Sequence, residues 1–445
     1  IRHLLYENIN KCKIEIPIYS YDLIKVAHSS TLLRKIGKFD FVVGNPPWIN
    51  WDSLNESLRE EIRELYKHYG LVTGRATVGA IKTDISTLFT YIAADKFLKH
   101  GGVLGFVITQ SVFKSKSMEG FRKFTLPDGT PLGVLRVHDL TLIKPFETAV
   151  NRTASIILKR GVQTSYPVPY LVWQKRYKNA NKLSLLSLEE VKRLMNIAKY
   201  VAIPMSYNVS SWLIGPYELV SELRKLTKTT SAYGPRLGIN TGGANRIYWV
   251  RVLKKISKTE VMISNLWDQK KSFIIDPDLI YPLIRGRDIK RWHIDPSGLY
   301  IIVPHTAKTG MKAIPEHEMK QSYPRTYEYL SSIEIKRALT SRRALKYRWG
   351  GTTKWWYSLF EIGKYTFAPY KVVYRGQVAN DLVAAVTGKV DDKYLGERMV
   401  MVDQTAHLIA VHNEDEAHYI CAILNSTPIR LLYKCLFYKH PCLLY

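Results

Sequence analysis

Phe39-Asp40-Phe41-Val42-Val43-Gly44-Asn45-Pro46-Pro47-Trp48 is the stretch on which the reading of this sequence turns. Its opening residues form a short apolar run ended by Gly44, the pattern of a strand buried on both faces of a parallel sheet. The chain then enters a loop in which two prolines fix φ and remove two backbone donors. What the loop presents is acceptors: the Asn45 side-chain oxygen and the Pro46 carbonyl. Two converging acceptors can grip a planar amino group, which offers two N–H donors. They draw its nitrogen out of conjugation, turn the lone pair towards an electrophile, and stabilise the positive charge that develops there. Trp48 adds a face for stacking. Short motifs recur by chance, and these residues also read as a proline-stiffened strand-to-helix turn with a capping Asn. Their place after a buried strand favours the chemical reading.

Outward from this loop, the first third of the chain alternates strand and helix. Ile14-Glu15-Ile16-Pro17-Ile18 leads towards Asp22 as an upstream strand. Ile85, Leu88, Phe89, Ile92 and Ala93 share one face at helical spacing, predicting a helix over 85–99. Gly101-Gly102 is expected to cap it, and Val103 to Ile108 to follow as a buried strand. Val134 to Val137 and Thr153 to Leu158 read as two more strands. Such alternation predicts an α/β sheet with ligands at the carboxyl ends of its strands. After Arg160, Pro167, Pro169 and many polar residues mark a boundary. The expected organisation is a first domain over 1–165, a connecting region over 166–230 and a further domain over 231–445. In the connector, Ser187-Leu188-Glu189-Glu190 is a capping box opening a helix through Lys199. Beyond Ser231 come short β-prone pieces broken by Gly and Pro, including Thr241-Gly242-Gly243 and Leu299 to Val303. Helices are expected over 325–346 and 414–434, the latter with Ile420, Ile423 and Leu424 on one face.

The chain has 445 residues, 46% hydrophobic and 23% charged, the composition of a folded protein of two or more domains. No apolar run is long enough to span a bilayer and no secretory signal opens the sequence, so no membrane partner is expected. Its net charge of +27 favours a polyanionic partner over a merely Lys-rich surface. The 29 Tyr and 10 Trp add stacking surfaces for exposed bases. Cys12, Cys421, Cys435 and Cys442 show neither CxxC pairing nor partner histidines, which predicts packing roles in a reducing cytoplasm. His317 has no second ligand at useful spacing and reads as a surface helix start. Because the chain opens at Ile1 and stops at Cys442-Leu443-Leu444-Tyr445, it is expected to be a piece of a longer protein.

The Asn45–Trp48 segment resembles motif IV of the amino-methyltransferases, (N/D/S)-PP-(Y/F/W), in the form used by the adenine-N6 group. Tyr21-Asp22-Leu23 resembles the acidic motif that holds the cofactor, which implies S-adenosyl-L-methionine as cofactor with Asp22 and Leu23 binding it. Thr83-Asp84 to Leu88-Phe89, then Lys96 to Gln110, resembles the helix–Gly-Gly–strand block that follows the catalytic loop; Phe89 is its cofactor-side aromatic or an ordinary helix-face residue. Lys144-Pro145-Phe146 with Ala149 to Ala154 resembles the motif whose aromatic stacks on the extruded base, a role carried to Phe146. Taken singly, Asp22 also reads as a helix N-cap and Phe146 as a core aromatic; their order and spacing favour the functional roles. Pro282 to Trp292 resembles the "LLRGRDIKRY" segment of the TaqI-like specificity domain of type IIG restriction-modification enzymes.

The resemblance implies a partial Rossmann-like methyltransferase domain followed by an α+β target-recognition domain. It implies double-stranded DNA as partner, with Asn45, Pro46, Pro47, Trp48 and Phe146 catalytic. Arg285, Arg287, Lys290 and Arg291 are the expected DNA contacts, phosphates ahead of guanine edges, with a solvated basic turn around Asp288 as the alternative. The family's glycine-rich cofactor loop should precede Tyr21-Asp22, and no FxGxG-like segment lies within residues 1–20. The cofactor site is therefore expected to be incomplete in this chain and the chain inactive by itself. A protein-glutamine or RNA methyltransferase, and an inactive DNA-binding fragment, are the competing readings. No PD-(D/E)xK cluster marks a nuclease.

Overall fold

A computed structural model describes residues 24, 36–72, 83–143, 145–146, 151–176, 186–227, 231–349, 353–376 and 381–437. The chain divides into two compact units, Ile1–Arg224 and Lys225–Tyr445.

The first unit is built on a seven-stranded sheet in the order β1-β2-β4-β3-β5-β6-β7. Its strands are β1 (Phe39–Gly44), β2 (Leu98–Thr109), β3 (Leu132–Asp139), β4 (Thr153–Arg160), β5 (Val168–Lys175), β6 (Met195–Pro204) and β7 (Trp212–Gly215). β1 and β2 pair in parallel, and β4 runs antiparallel between β2 and β3. The first three strands therefore share a direction, and the chain leaves their carboxyl ends on one edge of the sheet. Helix α1 (Glu56–His68) is opened by Asn55, whose side chain accepts from Leu58 N at 2.8 Å, and buries Ile62, Leu65 and Tyr66. Helix α2 (Ile85–Ile92) buries the expected Ile85, Leu88 and Ile92 and is capped by Asp84, which accepts from Ser86 N at 2.8 Å.

Three expectations for this unit are corrected. The helix over 85–99 ends sooner, in a π-helical stretch Ala93–Phe97. The Arg160 guanidinium donates to the carbonyls of Ala94, Asp95 and Leu98 at 3.2, 2.7 and 2.8 Å, so a buried cation ends the helix in place of a glycine. Gly101, at φ +79°, lies inside β2, where the register against β1 shifts between Phe39↔Leu98 and Phe41↔Val103, so the glycine pair makes an irregularity in the strand. Finally, the connector read over 166–230 contributes β5, β6 and β7 to the same sheet. Its capping box is present, with Ser187 and Glu190 bonding reciprocally, but helix α3 (Leu188–Leu194) stops at Met195. Met195 to Pro204 pairs with β5 over eight residue positions, and that ladder overrides the helical start.

The second unit carries a six-stranded sheet, β11-β10-β9-β13-β12-β18, a four-stranded sheet, β15-β14-β19-β8, and a two-stranded ribbon, β16-β17. These strands are β8 (Arg236–Leu237), β9 (Trp249–Lys255), β10 (Val261–Asn265), β11 (Phe273–Ile275), β12 (Ile280–Ile284), β13 (Tyr300–Ile302), β14 (Tyr370–Arg375), β15 (Ala384–Thr387), β16 (Lys389–Asp392), β17 (Gly396–Met399), β18 (Met401–Val402) and β19 (Ala406–Val411). The helix expected over 325–346 is three shorter ones, Pro324–Ser331, Ile333–Thr340 and Arg343–Trp349; the one expected over 414–434 is two, Glu414–Asn425 and Thr427–Phe437. His317 lies in the first turn of the helix Glu316–Ser322. Cys421 and Cys435 are buried. No group of metal-ligating side chains occurs among the described residues, and none of their helices is long and apolar enough to cross a membrane.

Candidate active site

Asn45 follows directly on Gly44, the last residue of β1, where a parallel sheet delivers its loops. Gly44 sits opposite Phe106, whose ring would lie 3.0 Å from an added Cβ, so the strand end closes tightly over the neighbouring strand. Pro46 is buried, whereas Asn45 and Pro47 are exposed, which leaves the amide of Asn45 open at the sheet edge. The loop is tied at its far end to the start of α2. Ile85 N donates to Ile49 O and Trp51 N to Thr83 O, each at 3.0 Å, and Asn50 forms a bridge with Asp84. Asp84 is buried, and desolvation pushes its carboxyl above the ordinary range despite the hydrogen bonds it accepts.

Trp48 is held at both ends. Its indole nitrogen donates to Val107 O at 3.1 Å, and its ring meets Phe146 edge-to-face with centroids 5.1 Å apart and planes at 77°. The two aromatics named from separate motifs thus come together, although 98 positions apart in sequence. Phe146 keeps 37% of its surface exposed. An aromatic half open to solvent beside a loop of acceptors is poised for a flat ligand, whereas a core aromatic would be covered.

The loop carrying Phe146 hangs between the end of β3 and the start of β4. Both roots are fixed: Leu140 N donates to Thr153 O at 3.0 Å and Gln110 N to Arg152 O at 2.8 Å. Beneath them lies a buried polar cluster that the sequence reading did not single out. Asp139 accepts from Gln110 Nε2 at 2.5 Å and from Tyr170 Oη at 2.7 Å, and its other oxygen accepts from Thr141 N at 3.0 Å. Burial and the adjoining carboxylate push the Tyr170 hydroxyl well above its usual range, so it stays a donor. Gln110 and Asp139 each follow an apolar strand pattern directly; a polar residue at a strand's carboxyl end is the signal that pointed to them.

Of the residues expected to hold a cofactor, Asp22 and Leu23 lie outside the described residues. Phe89 is half-buried on α2 and packs against the core, while Leu88 and Ile92 on either side of it are fully buried. Phe89 is thus the partly accessible aromatic of this helix.

In the second unit the expected basic cluster divides. Arg285 is buried: it grips Asp288 through Nε and Nη2, both at 3.1 Å, while its own backbone N donates to the same carboxylate at 2.9 Å. This Arg is therefore spent within the fold and does not present itself to a partner, which corrects its expected role. Arg287 and Arg291 are exposed and Lys290 is half-exposed, so these three remain available at the surface. Gly242 and Gly243, at φ +65° and +95°, form a tight turn.

Residues 2–132 match the Eco57I restriction-modification methylase family. The match takes in β1, the Asn45–Trp48 loop and α2. Among curated proteins, the chain is 24% identical to the Type II methyltransferase M.NspV of Nostoc sp. (strain ATCC 29411 / PCC 7524) over 315 residues, 68% of this chain and 60% of that protein. It is 22% identical to the Type II methyltransferase M.BstVI of Geobacillus stearothermophilus, over 65% of this chain and 48% of that protein. The chain thus spans about half the length of the relatives it matches. Among solved structures, the Type IIL restriction-modification enzyme MmeI, in complex with DNA, aligns with 95% of this chain and 48% of its own, at a TM-score of 0.51 and 10% identity. That likeness speaks for the fold: a mixed α/β methyltransferase-type unit with an additional domain.

Proposed function

We propose that this chain carries the catalytic and target-recognition parts of a site-specific DNA methyltransferase of a restriction-modification system, acting on N6 of adenine. The observation that carries the reading is the meeting of Trp48 with a half-exposed Phe146 beside Asn45 at the carboxyl end of β1. The matched family and the relatives' names support the methyltransferase class and DNA as substrate.

In this reading an adenine leaves the duplex and its ring is received between the aromatic pair and the loop. The Asn45 Oδ1 and the Pro46 carbonyl accept the two N–H groups of its exocyclic amine. The amino nitrogen then loses conjugation with the ring, and its lone pair points out of the plane. The acceptors carry the positive charge that develops, so no strong base is required before attack. S-adenosyl-L-methionine, when bound, supplies the electrophilic methyl; Asp22 and Leu23 by resemblance, and Phe89 by its accessible ring, are the residues that would hold it. Asp139, Gln110 and Tyr170 act through the loop, keeping Phe146 opposite Trp48. Asp288 holds Arg285, and the exposed Arg287, Lys290 and Arg291 are left to meet phosphates.

The test is transfer of labelled methyl groups to duplex DNA by the purified protein. Asn45→Ala is expected to lower transfer at least a hundredfold and to leave DNA binding intact. Methylation at an unchanged rate would remove Asn45 from its role, and labelling of protein or RNA in place of DNA would overturn the substrate.

A further inference from the structure

Trp292 combines two features that a fold ordinarily avoids. Its backbone lies in the left-handed region at φ +74°, where Gly or Asn is the usual occupant and a bulky side chain is strained. Its indole is also 55% exposed. Neither is explained by packing, since the ring belongs to no hydrophobic cluster among the described residues and its nearest aromatic-face contact is the Arg291 guanidinium, 5.7 Å from the centroid. Strain of this kind persists only where the surroundings fix the backbone.

Here they do. Behind the residue, Arg285 and Asp288 lock the 3-10 turn Gly286–Asp288, and Gly286 N donates to Thr405 Oγ1 at 2.7 Å. Buried Ile289 bridges Ile294, and its carbonyl accepts from Arg375 at 2.9 and 3.1 Å. Lys290 N donates to His293 O at 2.9 Å, closing the turn, and Trp292 N donates to Ala384 O at 3.0 Å, at the start of β15. Arg291 Nη2 reaches Asn425 O at 2.9 Å. The result is a rigid mount with an exposed indole at its tip, flanked by Arg287, Lys290 and Arg291.

We infer that Trp292 is a base-contacting wedge of the second unit, its ring stacking into a base step of duplex DNA while the neighbouring cations hold the phosphates. The inference rests on the proposed DNA substrate and adds to it a residue that reads bases by their faces. The surroundings select this partner: three cations beside one uncharged aromatic match a polyanion with stacked apolar planes inside it. Asp295, paired with His293 at 3.4 Å, is the acidic neighbour on the same turn.

The experiment compares wild type, Trp292→Gly, Trp292→Phe and Arg291→Ala in the full chain. Each is measured for thermal unfolding and for binding to a 40-base-pair random-sequence duplex across a salt series. Trp292→Gly is expected to raise Kd about tenfold with an unchanged salt slope, and to keep or raise the unfolding midpoint because the strain is relieved. Trp292→Phe retains binding within about threefold, and Arg291→Ala shallows the salt slope by about one. If wild type fails to bind duplex at low salt, the DNA reading itself falls. If wild type binds and Trp292→Gly binds equally well, or if Trp292→Gly lowers the midpoint by several degrees, the wedge is overturned and Trp292 is a structural residue.

Discussion

Trp48 has two anchors, and they can be separated by substitution. Trp48→Phe removes the donor to Val107 O but keeps a ring against Phe146, whereas Phe146→Ala removes the partner and leaves the hydrogen bond. If the pair receives a flipped base, Phe146→Ala is expected to lower methyl transfer more than tenfold, and Trp48→Phe only several-fold. A fluorescent adenine analogue at the target position reports the same order as lost signal on binding. Both aromatics were legible in the sequence, because each lies in a motif whose neighbours, the prolines and the Ala149–Ala154 run, fix its register. Arg285 was misread for a reason equally physical. A linear reading sees three arginines and a lysine, and cannot tell which of them Asp288 has taken. Removing one partner of a buried pair strands the other, so Arg285→Ala is expected to destabilise the second unit by about 3–5 kcal/mol in denaturant unfolding. Arg287→Ala, with its side chain 72% exposed, should change stability by less than about 0.5 kcal/mol and weaken DNA binding.

At the scale of elements, the strands around the site were legible and several helix ends were not. β1, β3 and β4 are apolar runs bounded by turn residues; β4 is buried or half-buried throughout, whereas β1, expected to be covered on both faces, leaves Phe39, Phe41 and Val43 exposed. The errors at 93–102 and 195–204 share a cause: contacts distant in sequence decided the local conformation. The carbonyls freed by the π-helical stretch are taken up by Arg160, more than sixty residues on, and β6 exists because β5 offers it a ladder. Helix α3 leans on its cap, since none of its residues is fully buried and only Val191 and Leu194 pack against the Ile143–Trp173–Met195 cluster. Ser187→Ala should therefore remove about 1 kcal/mol locally, seen as faster amide exchange at Glu190 and Val191 with no shift in global unfolding. Gly238 gives the opposite case. A Cβ there would lie 2.1 Å from Asp403 O, on the backbone that joins Ile239 to Asp403, so Gly238→Ala is expected to lower the unfolding midpoint of the second unit by many degrees.

For the molecule as a whole, a net charge of +27 makes binding to any polyanion depend on salt, and duplex affinity is expected to fall steeply between about 50 and 200 mM. One cation works against the fold. Lys371 is fully buried in β14, donates to Ala368 O and Val400 O at 2.9 and 3.2 Å, and is held by desolvation at about 8 instead of its usual 10.5. The unfolded chain takes up this proton more readily than the folded one. Stability from this group is therefore lowest below pH 8 and rises towards pH 10.5, by on the order of 3 kcal/mol in all. Lys371→Met should abolish that rise relative to wild type, measured by urea unfolding at pH 7, 8 and 9. β1 has a consequence of its own. Among the described strands it is the outermost of its sheet, with Phe41 and Val43 exposed at 74% and 73%. Apolar side chains left exposed on one face of a strand are an adhesive surface for a second copy. Self-association through that face grows with the square of concentration, whereas folding does not, so yield of dispersed protein should fall as expression is driven harder. Phe41→Lys should recover it without touching the amide of Asn45.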